Sequence, residues 1–331
     1  MMKAMVIEAF GGPEQFVERS LPVPAMKPGH VLIEVHATSL NAVDLLIRHM
    51  GPPFLAPPLP AVLHSDVAGV VVKVAPDVKA FREGDQVYGC AGGLLGLGGA
   101  LAEYMLADAA LLARKPESLS MEEAAALPLV TLTAWEALRE RTVAGPGRQV
   151  LVHGGAGGVG HIGIQLARHA GAEVFATVSS CEKGAIARRL GAVEAIDYRH
   201  VPVAHYVAEH TRGQGFDIVF DTVGNENLAA SFDAARLNGE IVTTVALGQH
   251  DLTAAHLRGL SVHVVFMLIP LLHGRDRAHH GRVLGEAARL VDAGALRPVV
   301  DPNRFSFQQV ADAHRLMESG RHVGKIVLTR S

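Results

Sequence analysis

The residues whose types and spacing point to chemistry begin with Gly155, Gly157 and Gly160, a G-x-G-x-x-G pattern inside QVLVHGGAGGVGHIGIQLARHAGA (Gln149 to Ala172). Such spacing serves a pyrophosphate. Gly155 is assigned to the tight turn, Gly157 to close backbone approach and Gly160 to close helix–strand packing. Gly158 and Val159 complete the turn, where open amides and the positive end of a helix starting near Val159 meet the phosphate charge. The context agrees, because Val150, Leu151 and Val152 read as a strand while Ile162, Leu166 and Ala170 recur every fourth residue. The end of the following strand selects the dinucleotide. An acid there would hydrogen-bond a ribose 2′-hydroxyl and repel a 2′-phosphate, and this chain has Thr177, Val178, Ser179 and Ser180 instead. Ser179 with Lys183 supplies a donor and a positive charge, which favours NADPH; Glu182, slightly downstream, keeps NAD as the alternative.

These residues need a fold to place them. A chain of 331 residues fits two domains better than one core. It is 49% hydrophobic and 19% charged, with 30 basic against 33 acidic residues, a formal charge of -3 and no basic block, which argues against nucleic acid. Two cysteines, Cys90 and Cys181, make neither a disulfide framework nor a four-cysteine zinc lobe and suggest a reducing compartment. The N-terminus lacks a signal-peptide core, and Val262 to Leu272 is too short to cross a bilayer. The expectation is a cytoplasmic protein without a membrane partner.

From Ala4 to about Ala110, short β-type runs (MVIEAF, HVLIEVHATSL, AGVVVKVA, GDQVYG) alternate with Pro and Gly turns, predicting a small, largely antiparallel β domain. Cys90 to Ala102 reads equally as a flexible loop at a cleft or a plain surface loop. Gly96 and Gly98 begin a second glycine pattern there, but it ends in Leu101 and no strand leads in. Ser120 and Glu123 form a capping box that opens a helix, Pro128 breaks it, and Thr131 to Arg141 resumes with Leu132, Trp135 and Leu138 on one face. After the glycine turn come strand-like runs at Glu173 to Val178, Val193 to Tyr198, Phe216 to Val223, Glu240 to Leu247 and Ser261 to Leu268. Helical segments around Glu182 to Leu190, Val203 to Thr211 and Glu226 to Arg236 separate most of them. With the first strand this makes a doubly wound parallel sheet of six strands. Helices at about Arg282 to Ala293 and Gln309 to Ser319 and a last strand GKIVLTR return to the first domain. His279 and His280 read as solvated.

The chain resembles the medium-chain dehydrogenase/reductases, and within them the zinc-independent quinone oxidoreductase branch. The likeness rests on LNAVDLLIR (Leu40 to Arg48), LPAVLHSDVAGVV, FREGDQVYG, LTAWEAL, VHGGAGGVGHIGIQLA, AIDY, FDIVFDTVG and GKIVL, and covers nearly the whole length. It implies a GroES-like domain over residues 1–124 and 271–331 and a Rossmann domain over 125–270 that binds NADPH, in a homodimer or homotetramer. It also implies that Lys183 and Tyr198 hold the adenosine 2′-phosphate and that Thr133 and Asn41 lie beside the nicotinamide. Val245 to Leu247 and Phe266 to Leu268 would run along it as backbone segments.

Zinc-dependent relatives place Cys where this chain has Asn41 and His where it has Ser65. Two of the three ligands a catalytic zinc needs are thereby missing, although His64, one residue earlier, keeps a shifted ligand open. Metal-free chemistry favours conjugate reduction, because hydride addition to the β carbon of an enone, or to a quinone, leaves a delocalised anion that a few hydrogen bonds can stabilise. Asn41, Ser65 and Arg48 are the candidate donors at the acceptor or cofactor, and Asp44 orients its neighbours; the proton can come from water. Relatives often have Tyr where this chain has Leu46, which weakens a quinone assignment. The alternatives are a zinc-dependent alcohol dehydrogenase activity and a nucleotide-binding module with little turnover.

Overall fold

The computed structural model describes residues 1–330. The chain forms two units, one of Met1–Leu129 with the segment from Leu268 onward, the other Val130–Met267. The segment up to Leu129 belongs to the first unit because the Leu129 N–H donates to Asp66 Oδ1 at 2.9 Å.

The N-terminal part of unit 1 contains β1 (Met2–Ile7), β2 (Phe16–Leu21), β3 (His30–Ser39), α1 (Ala42–Met50), β4 (Asp66–Val74), β5 (Gln86–Cys90), β6 (Tyr104–Asp108), β7 (Leu112–Arg114) and α2 (Met121–Ala125). β1 and β2 form a hairpin, and β3 pairs antiparallel with both β4 and β6, β4 with β5, and β5 with β7. The sequence reading missed β2, β6 and β7: β2 is half-exposed, β7 has three residues, and β6 alternates in burial but not in residue type, reading YMLAD. The Cys90 to Ala102 stretch is packed at both ends and exposed at Leu95, Gly96 and Gly98. Most of it is buried, and Cβ atoms on Gly92 and Gly99 would lie 2.0 Å from the carbonyl oxygens of Gly98 and Leu63, so these two glycines serve backbone packing, whereas Cβ atoms on Gly96 and Gly98 would have nothing within 4 Å.

Unit 2 opens within α3 (Pro128–Trp135), which continues as a π-helical turn over Glu136–Arg141. Pro128 therefore starts this helix rather than leaving a gap before Thr131, as suits a residue without an N–H in a first turn. The sheet follows: β8 (Gln149–His153), α4 (Gly160–His169), β9 (Glu173–Val178), α5 (Cys181–Leu190), β10 (Glu194–Asp197), α6 (Val203–Thr211), β11 (Phe216–Asp221), α7 (Leu228–Ala234), β12 (Ala235–Thr243), α8 (Thr253–Arg258) and β13 (Ser261–Val264). The six strands run in the order β10-β9-β8-β11-β12-β13, all parallel. This is the doubly wound Rossmann arrangement, with its switch point between β8 and β11. β12 and β13 end earlier than their apolar runs suggested, so Val245 to Leu247 and Phe266 to Leu268 are loop rather than strand. Leu151, Phe175, Phe216, Val219 and Phe232 pack in the core of this unit.

The return segment supplies α9 (Ile269–His273), α10 (Arg277–Asp292), β14 (Phe305–Ser306), α11 (Val310–Glu318) and β15 (Val327–Thr329), and β15 joins β3 antiparallel. α10 starts before Arg282, and His280 inside it is buried, not solvated: its neighbour Gly281 lies against the carbonyls of Ala110 and Leu112. Among the described residues no helix is long and apolar enough to cross a membrane.

Candidate active site

In unit 2 the chemistry collects at the carboxyl ends of the strands. The glycine turn leaves β8 at the switch point, and its left-handed residue is Gly154 (φ 71°), not Gly155. Gly155 is required for another reason: a Cβ there would sit 2.6 Å from the Ala176 Cβ, so its bareness lets the turn lie against β9. A Cβ on Gly160 would meet Gly154 O at 2.2 Å, which explains the tight seat of α4. Gly157 differs from both, since its Cβ would approach only Gly154 O, at 3.1 Å. The amides of Gly158 and Val159 donate to no group among the described residues. Open N–H groups at the start of a ten-residue helix have the geometry and dipole suited to an anion.

Hydrogen bonds of Thr177, Thr222 and Asp221, none of them foreseen from the sequence, tie this edge together. The Thr177 hydroxyl accepts from Gly154 N at 3.3 Å and lies 3.0 Å from His153 Nδ1. Thr222 donates its hydroxyl to His153 O at 2.6 Å. Buried Asp221 accepts from the amides of Val223 and Gly224 at 2.9 and 2.8 Å and from the Ser231 hydroxyl at 2.8 Å, fixing the turn after β11. The β12 loop is tied to the same turn, Val245 O accepting from Asn225 N at 3.0 Å and Leu247 N donating to Asn225 Oδ1 at 3.0 Å.

Ser179, Lys183 and Tyr198 come together. Val178 and Asp197 are register partners, so Ser179 and Tyr198 leave the sheet side by side, and Tyr198 N donates to Val178 O at 3.2 Å. Ser180 caps α5 by accepting from Lys183 N at 3.3 Å, which sets Lys183 in the first turn. Tyr198 is exposed and Lys183 half-buried; Glu182 is also exposed in that turn. Thr133 is buried in α3, and Phe266 is exposed. Leu268, expected beside it along the cofactor, opens the return segment of unit 1 and is buried.

In unit 1 the candidates form a buried polar cluster. Asn41, before α1, donates from Nδ2 to Asp66 Oδ2 at 2.8 Å, and its Oδ1 accepts from Lys325 Nζ. Lys325 also donates to Leu40 O at 2.8 Å and lies 3.4 Å from Asp66 Oδ2. Ser39 donates its hydroxyl to Asp66 Oδ2 at 2.9 Å. Asp44 accepts from the Asn41 backbone N–H at 2.8 Å. Burial pushes the Asp44 carboxyl up to about 7, against the Asn41 N–H bond and with the Asp66 charge adding. Burial lowers the Lys325 ammonium, opposed by Asp66 and Asp44. Ser65 is buried with its hydroxyl facing the Cys90 thiol, which burial and the Asp66 charge push up.

Arg48 and His64 are both buried and bond residues of α11. Arg48 is fully buried and bonds Glu318 of α11 through Nη2, while its Nε and Nη1 bond no group among the described residues. His64 holds a left-handed backbone (φ 70°), and its Nε2 shares a hydrogen bond with His314 Nε2 at 3.1 Å. Burial, with the Lys325 charge, lowers His64 to about 3, and burial with the His64 and Arg48 charges lowers His314. Among the described residues no three or more His, Cys, Asp or Glu side chains are grouped to hold a metal ion. Lys325 and Asp66 were missed by sequence reasoning; the available signal was a charge standing directly before an apolar run, Asp66 at the head of β4 and Lys325 two residues before β15.

The chain matches the family described as alcohol dehydrogenase GroES-like domain over residues 27–117 and that described as zinc-binding dehydrogenase over residues 190–328. It is 36% identical over 334 residues to an NADPH-dependent alkenal/one oxidoreductase, chloroplastic, of Arabidopsis thaliana, covering 99% of this chain and 79% of that protein. An alcohol dehydrogenase superfamily protein from Novosphingobium aromaticivorans is similar in structure, with a TM-score of 0.95 and 41% identity over 100% of both chains. Escherichia coli quinone oxidoreductase complexed with NADPH is similar with a TM-score of 0.88 and 28% identity, over 99% of each chain.

Proposed function

Because the chain belongs to the medium-chain dehydrogenase/reductase superfamily, we propose that it is an NADPH-dependent reductase of α,β-unsaturated carbonyls and quinones that works without a metal ion. The observation that carries this reading is the unit 1 cluster. Where zinc-dependent relatives have metal ligands, this chain has Asn41, bonded to Asp66 and Lys325, and Ser65, buried against Cys90. That is a set of hydrogen-bond donors, suited to a delocalised anion rather than a localised alkoxide.

The residues present fit the cofactor. The open amides of Gly158 and Val159 and the bare Gly157 would hold the pyrophosphate, and Ser179, Lys183 and Tyr198 the 2′-phosphate, with no carboxylate at the end of β9. When bound, NADPH supplies the hydride. Asn41 donates to the acceptor oxygen as negative charge develops there, and Asp44 keeps Asn41 in place through its backbone N–H. For an enone the hydride adds to the β carbon, the enolate takes a proton from water at the α carbon, and the saturated carbonyl leaves. A quinone takes one hydride and one proton to become a hydroquinone.

The test is turnover with a panel of enals, enones and quinones, using NADPH and NADH side by side. Wild type prefers NADPH, and Lys183→Ala raises the KM for NADPH roughly 10-fold or more, from the loss of a charge-assisted contact worth about 1.5–3 kcal/mol, while NADH is little affected. Equal use of the two cofactors by wild type would overturn the assignment. We further place the protein in the cytoplasm as a homodimer or homotetramer. β13 is an edge strand with Val262 and Val264 exposed, which supports pairing with a second copy, and light scattering giving a one-chain mass would refute it.

A further inference from the structure

The Asn41 amide has one allowed orientation. An ammonium offers only donors and a carboxylate only acceptors. Lys325 on one side and Asp66 on the other therefore fix Oδ1 toward the ammonium and Nδ2 toward the carboxylate. The pair itself is held fast: Lys325 is 1% and Asp66 0% exposed, Lys325 also bonds Leu40 O, and Asp66 also accepts from Ser39 Oγ and Leu129 N. Among Asn41, Lys325 and Asp66 themselves, one hydrogen is left over. The second N–H of Asn41 Nδ2 donates to no protein group among the described residues, although Asn41 is 4% exposed. A buried donor left unmade is unfavourable unless a ligand completes it.

Resting on the reading of Asn41 as the donor to the acceptor oxygen, we propose that Lys325 and Asp66 are the positioning pair of the reaction, holding Asn41 so that this remaining N–H is the oxyanion donor. Lys325 acts through Asn41 and does not touch the acceptor. Its bond to the amide oxygen polarises the amide and strengthens the N–H as a donor. The carboxylate stops the amide from flipping, which would present a carbonyl oxygen to a developing negative charge.

The experiment compares wild type, Asn41→Leu, the double variant Lys325→Met with Asp66→Asn, and the triple variant. Removing both charges together leaves neither member of the pair as an unpaired buried ion, and kcat is read at pH 6, where Asp44 is mostly protonated. The double variant is expected to lose kcat about 10²-fold, the usual effect of one oxyanion donor, with NADPH affinity by fluorescence within about twofold. Adding Asn41→Leu to it should cost little more, because the pair acts only through Asn41. Multiplicative losses, or a wild-type kcat in the double variant, would overturn the proposal. Should the double variant not fold, Lys325→Arg is read instead: the charge stays but the planar fork cannot reproduce the ammonium's bonds, so kcat falls, and an unchanged kcat refutes the role. If wild type oxidises NADPH with no conjugated acceptor, it is the proposed function that fails, not this positioning.

Discussion

At the scale of single residues, the informative groups are charges and polar atoms enclosed where water cannot reach them. Asp44 shows the consequence for stability. Its carboxyl is raised to about 7 in the fold against 3.8 outside it. The folded state therefore binds this proton more tightly, and the stabilising contribution is fully present below pH 3.8 and lost as pH rises towards 7. At 1.36 kcal/mol per unit, the penalty at pH 8 reaches up to about 4 kcal/mol. Asp44→Asn keeps an acceptor for the Asn41 N–H but cannot ionise. Its thermal stability relative to wild type should improve steadily from pH 5 to pH 7 and then level off, and a difference independent of pH would show that Asp44 does not titrate in this range. Residues of this kind are hard to read in a sequence. Asp66 and Lys325 stand 259 positions apart, and nothing local to either names its partner. The ion pair of Arg48 was hidden for the same reason, because Glu318 reaches it from a distant helix.

At the scale of elements, the glycine turn is the clearest case of a local sequence defining local structure. Strand, turn and helix were all legible because each depends on neighbours in the chain: β-branched residues in β8, a fourfold apolar repeat in α4. The roles of the glycines were legible only in part. Which residue takes the left-handed conformation, and which one faces a neighbouring strand, depend on β9, and the structure transfers the first role from Gly155 to Gly154. The distinction yields a paired prediction. Gly160→Ala drives a Cβ into Gly154 O at 2.2 Å, backbone that cannot yield, so the melting temperature falls and NADPH binding is lost with it. Gly157→Ala meets only Gly154 O at 3.1 Å, so the protein stays folded while NADPH affinity drops as the methyl group keeps the pyrophosphate away. Calorimetry and a fluorescence titration separate the two. Equal melting points with equal loss of binding would mean that both glycines serve the ligand alone.

At the scale of the whole molecule, the alternation of strands and helices made the doubly wound sheet readable, since a parallel sheet needs a crossover for every strand. The β unit was less so. β2, β6 and β7 escaped notice, and β15 joins β3 from the far end of the chain. The central claim concerns what the assembled chain does with a hydride, and the fate of the hydrogen tests it most directly. Enzyme, an α,β-unsaturated aldehyde and NADPH deuterated at the transferring C4 position should give the saturated aldehyde with one deuterium at the β carbon, read by NMR, after prior dialysis against a chelator as well as before it. Deuterium at the carbonyl carbon of an allylic alcohol, or activity that vanishes on chelation and returns with zinc, would contradict the account.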